Sequence, residues 1–160
     1  MVGLVFRTIG KDDAVALYEL LNGLSTEASS FFHPHSFDLR TVQEICSNST
    51  EYYFVLYLED VLIGYSMLRL CGHAIPMYGG CIRKGYEGRR YGMILLERTL
   101  LEAKKLGFQT VRLKVQRENA RAYQLYAKAG FHETGIEENN IVMSLDLHTM
   151  PAIRRTVNRP

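Results

Sequence analysis

Tryptophan is absent from the 160 residues, proline occurs four times and cysteine three times. Cys46, Cys71 and Cys81 are odd in number, far apart and without CxxC spacing. That excludes a disulfide framework and a zinc cluster, and leaves free, buried thiols and no metal as the expectation. No apolar run approaches the roughly 20 residues that span a bilayer. Residues 1–10 carry Arg7 inside a short alternating segment rather than a charged start before a long apolar stretch. A cytoplasmic protein with no membrane partner is expected. Internal repeats, linkers and low-complexity tracts are missing as well. With 47% hydrophobic and 22% charged residues, the chain fits one domain, expected over residues 1–147, burying about 70% of the surface its unfolded form exposes. Residues 148–160, with two prolines and three arginines, read as a C-terminal tail, frayed or docked.

The net charge of +2 conceals an uneven distribution. Residues 1–82 carry 4 basic and 9 acidic side chains, residues 83–128 carry 12 and 4, and residues 129–160 carry 3 and 4. A basic block of +8 between acidic flanks suits a small polyanion better than a long nucleic-acid track. No pattern of stacking aromatics accompanies it, so no nucleic-acid partner is expected.

Residues 4–9 read as a strand, and Asp12-Asp13 as the cap of a helix with Ala14, Leu17, Tyr18 and Leu21 on one face. A polar and aromatic loop follows over 25–37, holding Phe31-Phe32-His33-Pro34-His35, and Asp38 opens a second helix to about Ser47. Residues 52–58 and 62–70 form a hairpin around Glu59-Asp60, with a fourth strand over 75–82. An amphipathic helix over 91–106 stops at Gly107. The alternation of Val111, Leu113 and Val115 with Arg112 and Lys114 gives a fifth strand, and 131–135 and 141–147 a final hairpin.

Two segments carry chemistry. Gly85-Tyr86-Glu87-Gly88-Arg89-Arg90-Tyr91-Gly92 ends a strand and opens a helix. Peptide N–H groups crowded there, with glycines that admit a ligand and two arginines alongside, make an anion cradle. About thirty residues on, Asn119 caps a helix that closes at Gly130-Phe131.

The order of elements, and above all Asn119, Ala122, Leu125-Tyr126 and Gly130-Phe131 at their spacing, resembles the GNAT superfamily of acetyl-coenzyme A dependent N-acetyltransferases. The resemblance implies an α/β (α+β) fold, a mixed and mostly antiparallel sheet of about seven strands flanked by four helices. Strands 4 and 5 would splay for the cofactor, commonly with a β-bulge in strand 4 that Gly79-Gly80 would tolerate. It also implies acetyl transfer from acetyl-coenzyme A, the expected cosubstrate, to a primary amine. A small-molecule amine (amino sugar, polyamine, amino acid or antibiotic-like) is the expected acceptor; a protein or peptide amine and a non-catalytic acyl-coenzyme A binding module are the alternatives. A monomer and a homodimer both stay open.

Carried onto this sequence, the resemblance assigns Cys81, Ile82, Gly88, Arg89, Arg90, Tyr91, Gly92, Met93, Asn119 and Tyr126 to cofactor binding, and makes Tyr126 the general acid toward the departing thiolate. On helix periodicity alone Tyr126, with Ala122, Leu125 and Ala129, reads as a core residue. The anion motif departs from the family pattern at Glu87, where Arg or Gln is usual, and at Arg90, where glycine is usual. The expectation at Arg90 is right-handed backbone angles, since a left-handed non-glycine residue costs about 1–2 kcal/mol. His33 and His35 are imidazoles on the loop that walls the acceptor pocket in this family, so the resemblance makes them the candidates for the base.

Overall fold

The computed structural model describes residues 3–47 and 50–150. Seven strands form one sheet: β1 (Leu4–Thr8), β2 (Tyr52–Leu58), β3 (Val61–Arg69), β4 (Met77–Ile82), β5 (Thr110–Gln116), β6 (His132–Glu137) and β7 (Asn140–Asp146), in the spatial order β1-β2-β3-β4-β5-β7-β6. Every pairing is antiparallel except β4 with β5. Among the described residues five α-helices flank it: α1 (Ala14–Asn22), α2 (Thr26–Phe31), α3 (Leu39–Ser47), α4 (Tyr91–Lys105) and α5 (Ala120–Ala129). No helix among the described residues is long and apolar enough to cross a membrane.

The continuous apolar run of β3 has a physical reason, since this strand is covered on both faces. Tyr65 and Met67 pack with Leu17, Leu20 and Leu21 of α1 and Val42 of α3. Leu68 packs with Leu96 and Leu100 of α4. Ser66, buried on the α4 face, shares a 2.7 Å hydrogen bond with Thr99, whose hydroxyl donates to the Leu95 carbonyl at 2.7 Å. The buried polar pair is thereby satisfied.

Several expectations are corrected. The loop over 25–37 contains a fifth helix, α2, whose N-cap Ser25 accepts from the Ala28 N–H at 3.1 Å. Its six residues carry no apolar stripe, which hid it. Asp13 does not cap α1 through its side chain. A 3₁₀ turn, Lys11–Asp13, precedes the helix, and the Asp13 carboxylate turns back to accept from Arg7 at 2.7 and 2.8 Å, Tyr57 at 2.7 Å and the Gly10 N–H at 2.7 Å. Burial alone would push this carboxyl up, but those donors together hold it below its ordinary value. Tyr18 is exposed, and Leu20 takes its place in the core. Cys46 and Cys81 are buried, but Cys71 is exposed. The register of β4 on β3 runs from Gly64↔Ile82 to Arg69↔Met77 without a bulge. The irregularities fall instead at Leu56/Tyr57 and Glu133/Gly135. The tail from 151 onward lies outside the described residues.

Candidate active site

The parallel pair β4 and β5 is joined at a single register position, Met77↔Arg112, where the Arg112 N–H reaches the Pro76 carbonyl at 3.0 Å. Past that point β5 stays paired to β7 along its length and β4 to β3. Among the described residues, the β4 edge facing β5 from Tyr78 to Ile82 therefore lacks strand partners. It borders a cleft of about 2330 Å³ that also takes in the start of α4, one face of α5, and α2. This is the opening a parallel neighbour gives when its pairing stops after one bridge.

The anion cradle sits at one end of the cleft. Gly85 and Gly88 have φ of +93° and +73°, and Arg90 has φ 69° and ψ 1°. The expected right-handed angles at Arg90 are thus overturned. Arg90 is the N-cap of α4, its carbonyl receiving the Ile94 N–H at 3.1 Å, and the chain enters the helix through a left-handed residue whatever the side chain there. The N–H groups of Tyr91, Gly92 and Met93 lie in the first turn and have no intrahelical acceptor, so they are donors for an anion. Gly88, Arg89, Arg90, Gly92 and Met93 line the cleft. Tyr91 does not: its ring is buried with Leu56, Ile63 and Leu95, so its backbone is what it offers. The Arg89 guanidinium stands 5.9 Å over the Tyr86 ring. Glu87 is exposed and makes no ion pair among the described residues, consistent with a carboxylate turned to solvent.

One contributor was not read from the sequence. A Cβ on Gly88 would stand 3.1 Å from Nη2 of Arg121, so this α5 arginine lies against the cradle. Arg121 is exposed, lines the cleft and has no carboxylate partner among the described residues. The signal available was its place in the first turn of a capped helix inside the basic block.

Asn119 caps α5 as expected, Oδ1 accepting from the Ala122 N–H at 3.3 Å. Its amide is left to donate into the cleft that it lines. At the other end of α5, Gly130 takes φ 108°, which lets the Phe131 N–H reach the Tyr126 carbonyl at 3.0 Å. The Phe131 ring packs 6.0 Å from that of Tyr126. The Gly-Phe pair therefore fixes the tyrosine one turn earlier. On its other side Tyr126 meets Tyr78 edge-on at 6.0 Å. Its hydroxyl makes no hydrogen bond among the described residues, although the side chain lines the cleft. Burial, with a smaller contribution from Cys81, pushes its phenol up to about 12. It stays protonated at neutrality. The neighbouring Tyr123 donates to Glu133 at 2.7 Å and is occupied elsewhere.

Ile82 and Cys81 line the cleft, but burial pushes the Cys81 thiol up, which opposes any nucleophilic role. Gly79 and Gly80 serve close approach rather than a bulge. A Cβ on Gly79 would meet Met67 Cγ at 3.3 Å, and one on Gly80 would collide with the Tyr78 hydroxyl.

At the far end stand Phe31, Phe32, His33, Pro34 and Arg69. His33 is exposed and lines the cleft; its Nε2 donates to the Ser30 carbonyl at 3.0 Å, so Nδ1 keeps a free lone pair. His35 is placed differently. Its Nδ1 donates to the Ser36 carbonyl at 2.7 Å, its Nε2 accepts from the Tyr65 hydroxyl at 2.9 Å, and its ring packs among Phe37, Tyr53 and Tyr65. Burial lowers its pKa. His35 supports the wall rather than forming it.

A splayed parallel pair, an anion cradle at the following helix and a tyrosine between them meet a family-level match: the model of the Acetyltransferase (GNAT) family fits residues 15–131. The chain belongs to this family. It is 30% identical over 95 residues to a [ribosomal protein bS18]-alanine N-acetyltransferase of Haemophilus influenzae, a match covering 58% of this chain and 64% of that protein's length. Among solved structures, the fold is shared with the ribosomal-protein-S5-alanine acetyltransferase from Vibrio fischeri. The TM-score is 0.77 and the identity 14%, over 94% of this chain and 97% of that one. It is also shared with spermidine N-acetyltransferase from Vibrio cholerae in complex with CoA and spermine. There the TM-score is 0.75 and the identity 23%, over 92% and 98%.

Proposed function

We propose that this chain transfers acetyl from acetyl-coenzyme A to a primary amine by direct attack. The observation that carries the reading is the Tyr126 hydroxyl, protonated and without a partner among the described residues, beside the opening between β4 and β5. Acetyl-coenzyme A would supply an activated acyl group on a good leaving group. The orphan N–H groups of Tyr91, Gly92 and Met93, with the Arg89, Arg90 and Arg121 charges nearby, would hold its pyrophosphate. Cys81 and Ile82, on the free edge of β4, and the Asn119 amide would meet the pantetheine arm. Free β4 peptide groups would polarise the thioester carbonyl.

The amine nitrogen loses a proton and forms the N–C bond; the C–S bond breaks and its electron pair stays on sulfur. His33, through Nδ1, takes the amine proton directly or through water. Tyr126 donates to the sulfur. A phenol held near 12 is a weaker acid than a thiol near 8.5. The hydroxyl therefore works chiefly as a hydrogen-bond donor to the thiolate, which takes its proton from solvent.

A small-molecule acceptor is favoured by the roof over the far end. Gln116 Nε2 reaches across from β5 to the Ser30 carbonyl of α2 at 3.5 Å, and Phe32 lies 3.8 Å from where a Gly79 Cβ would stand. The similarity to an alanine N-acetyltransferase of a ribosomal protein supports a second reading, a protein N-terminal amine. Thiol release measured with a panel of free amines and of peptides beginning with alanine separates the two. Turnover of peptides alone would reject the small-molecule reading.

A further inference from the structure

The acceptor end holds a guanidinium without a carboxylate partner among the described residues. Arg69, the last residue of β3, is half-buried and lines the cleft. Its Nη1 donates to the Pro34 carbonyl, while Nε is buried with no hydrogen-bond partner among the described residues. No carboxylate of the described residues pairs with it, in contrast to Arg7, whose 2.7 Å contact with Asp13 answers its charge. A guanidinium N–H withdrawn from water without an acceptor is costly, and such groups in native proteins call for an account.

The place of Arg69 supplies one. Tyr65, Met67 and Arg69 alternate along the same face of β3, and across the ladder Met67 pairs with Gly79 and Arg69 with Met77. Arg69 thus stands two residues, about 7 Å, from the Met67–Gly79 rung beside the β4–β5 opening. That distance suits a molecule whose anionic group lies a few bonds from its amine. Of the carboxylates that line the cleft, Glu87 and Glu97 belong to the α4 end, which leaves Glu27 of α2 to favour a cation. A polyamine would bring a second positive charge toward Arg69.

We propose that the acceptor is an amine bearing a carboxylate close to the nitrogen, an amino acid in the broad chemical sense, with Arg69 taking its carboxylate. This rests on the acetyltransferase reading, and the guanidinium fork matches a carboxylate where a lysine would offer a point charge.

The test compares L-methionine with L-methioninamide, and glycine with glycinamide, and includes spermidine. Two readouts are used: thiol release from acetyl-coenzyme A, and calorimetric binding of the acceptor to protein saturated with coenzyme A. Each is run on the wild type, Arg69→Met and Arg69→Lys, with acetyl-coenzyme A affinity and melting temperature recorded for all three. The free acids are expected to exceed their amides about thirtyfold in kcat/KM or in affinity, the range of one charge-assisted hydrogen bond. Arg69→Met should bring acid and amide within about threefold, acting on KM, and Arg69→Lys should recover part of the preference, with acetyl-coenzyme A affinity unchanged in both. Equal use of acid and amide by the wild type, or preference for spermidine, would overturn the inference while leaving the acetyltransferase reading standing. Arg69-dependent binding of the acids without thiol release would do the reverse. If Arg69→Met lowers the melting temperature and slows acid and amide alike while Arg69→Lys restores both equally, the residue only anchors the Pro34 loop and the inference fails.

Discussion

Replacing Arg90 by glycine separates what the backbone at the cradle requires from what its side chain provides. Arg90 holds φ 69° and ψ 1°, where an L side chain costs about 1–2 kcal/mol. Glycine removes that strain but adds about 0.5–1 kcal/mol of unfolded-chain entropy. The net is a stabilisation of about 0.5–1 kcal/mol, or about 2–3 °C in Tm for a chain of this size. Arg90→Ala is the control, because it deletes the guanidinium while keeping the left-handed strain, and its Tm should stay within about 1 °C of the wild type. The guanidinium is exposed and pairs with no carboxylate among the described residues, so its loss should act on acetyl-coenzyme A binding rather than on folding. Both variants should therefore weaken that affinity to a similar extent, in a salt-dependent way. Calorimetric melting and isothermal titration at two salt concentrations read both quantities. Destabilisation by glycine, or equal melting of Arg90→Gly and Arg90→Ala, would refute the strain argument.

Gly80→Ala places a methyl group against the Tyr78 hydroxyl, with the Tyr78 Cζ at 3.0 Å, and should lower stability by about 1–3 kcal/mol in denaturant titrations. Tyr78→Phe should recover part of that loss, and a double mutant no better than Gly80→Ala would show that the two do not meet. The neutral His35 ring gives a pH dependence of stability. Its folded pKa lies below the unfolded value of about 6.5, so the unfolded chain binds the extra proton first. Its contribution is complete above about pH 6.5 and is lost as pH falls toward the folded value. The Tm difference between pH 7.5 and 5.5 should shrink in His35→Phe, and an unchanged difference would reject the assignment. Asn119→Ala removes the cap on Ala122 and should cost about 1 kcal/mol in the same titrations. No loss would mean that water serves the N–H equally well.

The sheet, four of the helices and both motif segments were legible because their signals are local. Period-two alternation in β5, the Asn119 cap and the glycine stops at Gly107 and Gly130 each follow from the residues at hand. What escaped depends on neighbours distant in sequence. Asp13 looked like a helix cap because nothing local showed that Arg7 and Tyr57 would compete for its oxygens. The left-handed angle at Arg90 is not legible in the sequence, because it is imposed by the path into α4 and not by the residue. His33 and His35 are two residues apart, yet only His33 reaches the cleft; the Tyr65 hydroxyl, thirty positions on, claims His35. Arg121 and Arg69 came to the site from α5 and β3 by tertiary packing alone.

The most direct test of the account is acetyl-coenzyme A titration and thiol release, measured side by side on the wild type and Tyr126→Phe. The substitution deletes a hydroxyl without partners among the described residues and keeps the ring contacts with Tyr78 and Phe131, so folding and cofactor affinity should be unchanged. Loss of one hydrogen bond to a developing thiolate, worth about 1.5–3 kcal/mol, should lower kcat roughly ten- to hundredfold. Saturable binding by both proteins, with turnover reduced to that degree in the variant, is the predicted result. No binding by the wild type, or full turnover by Tyr126→Phe, would contradict the account.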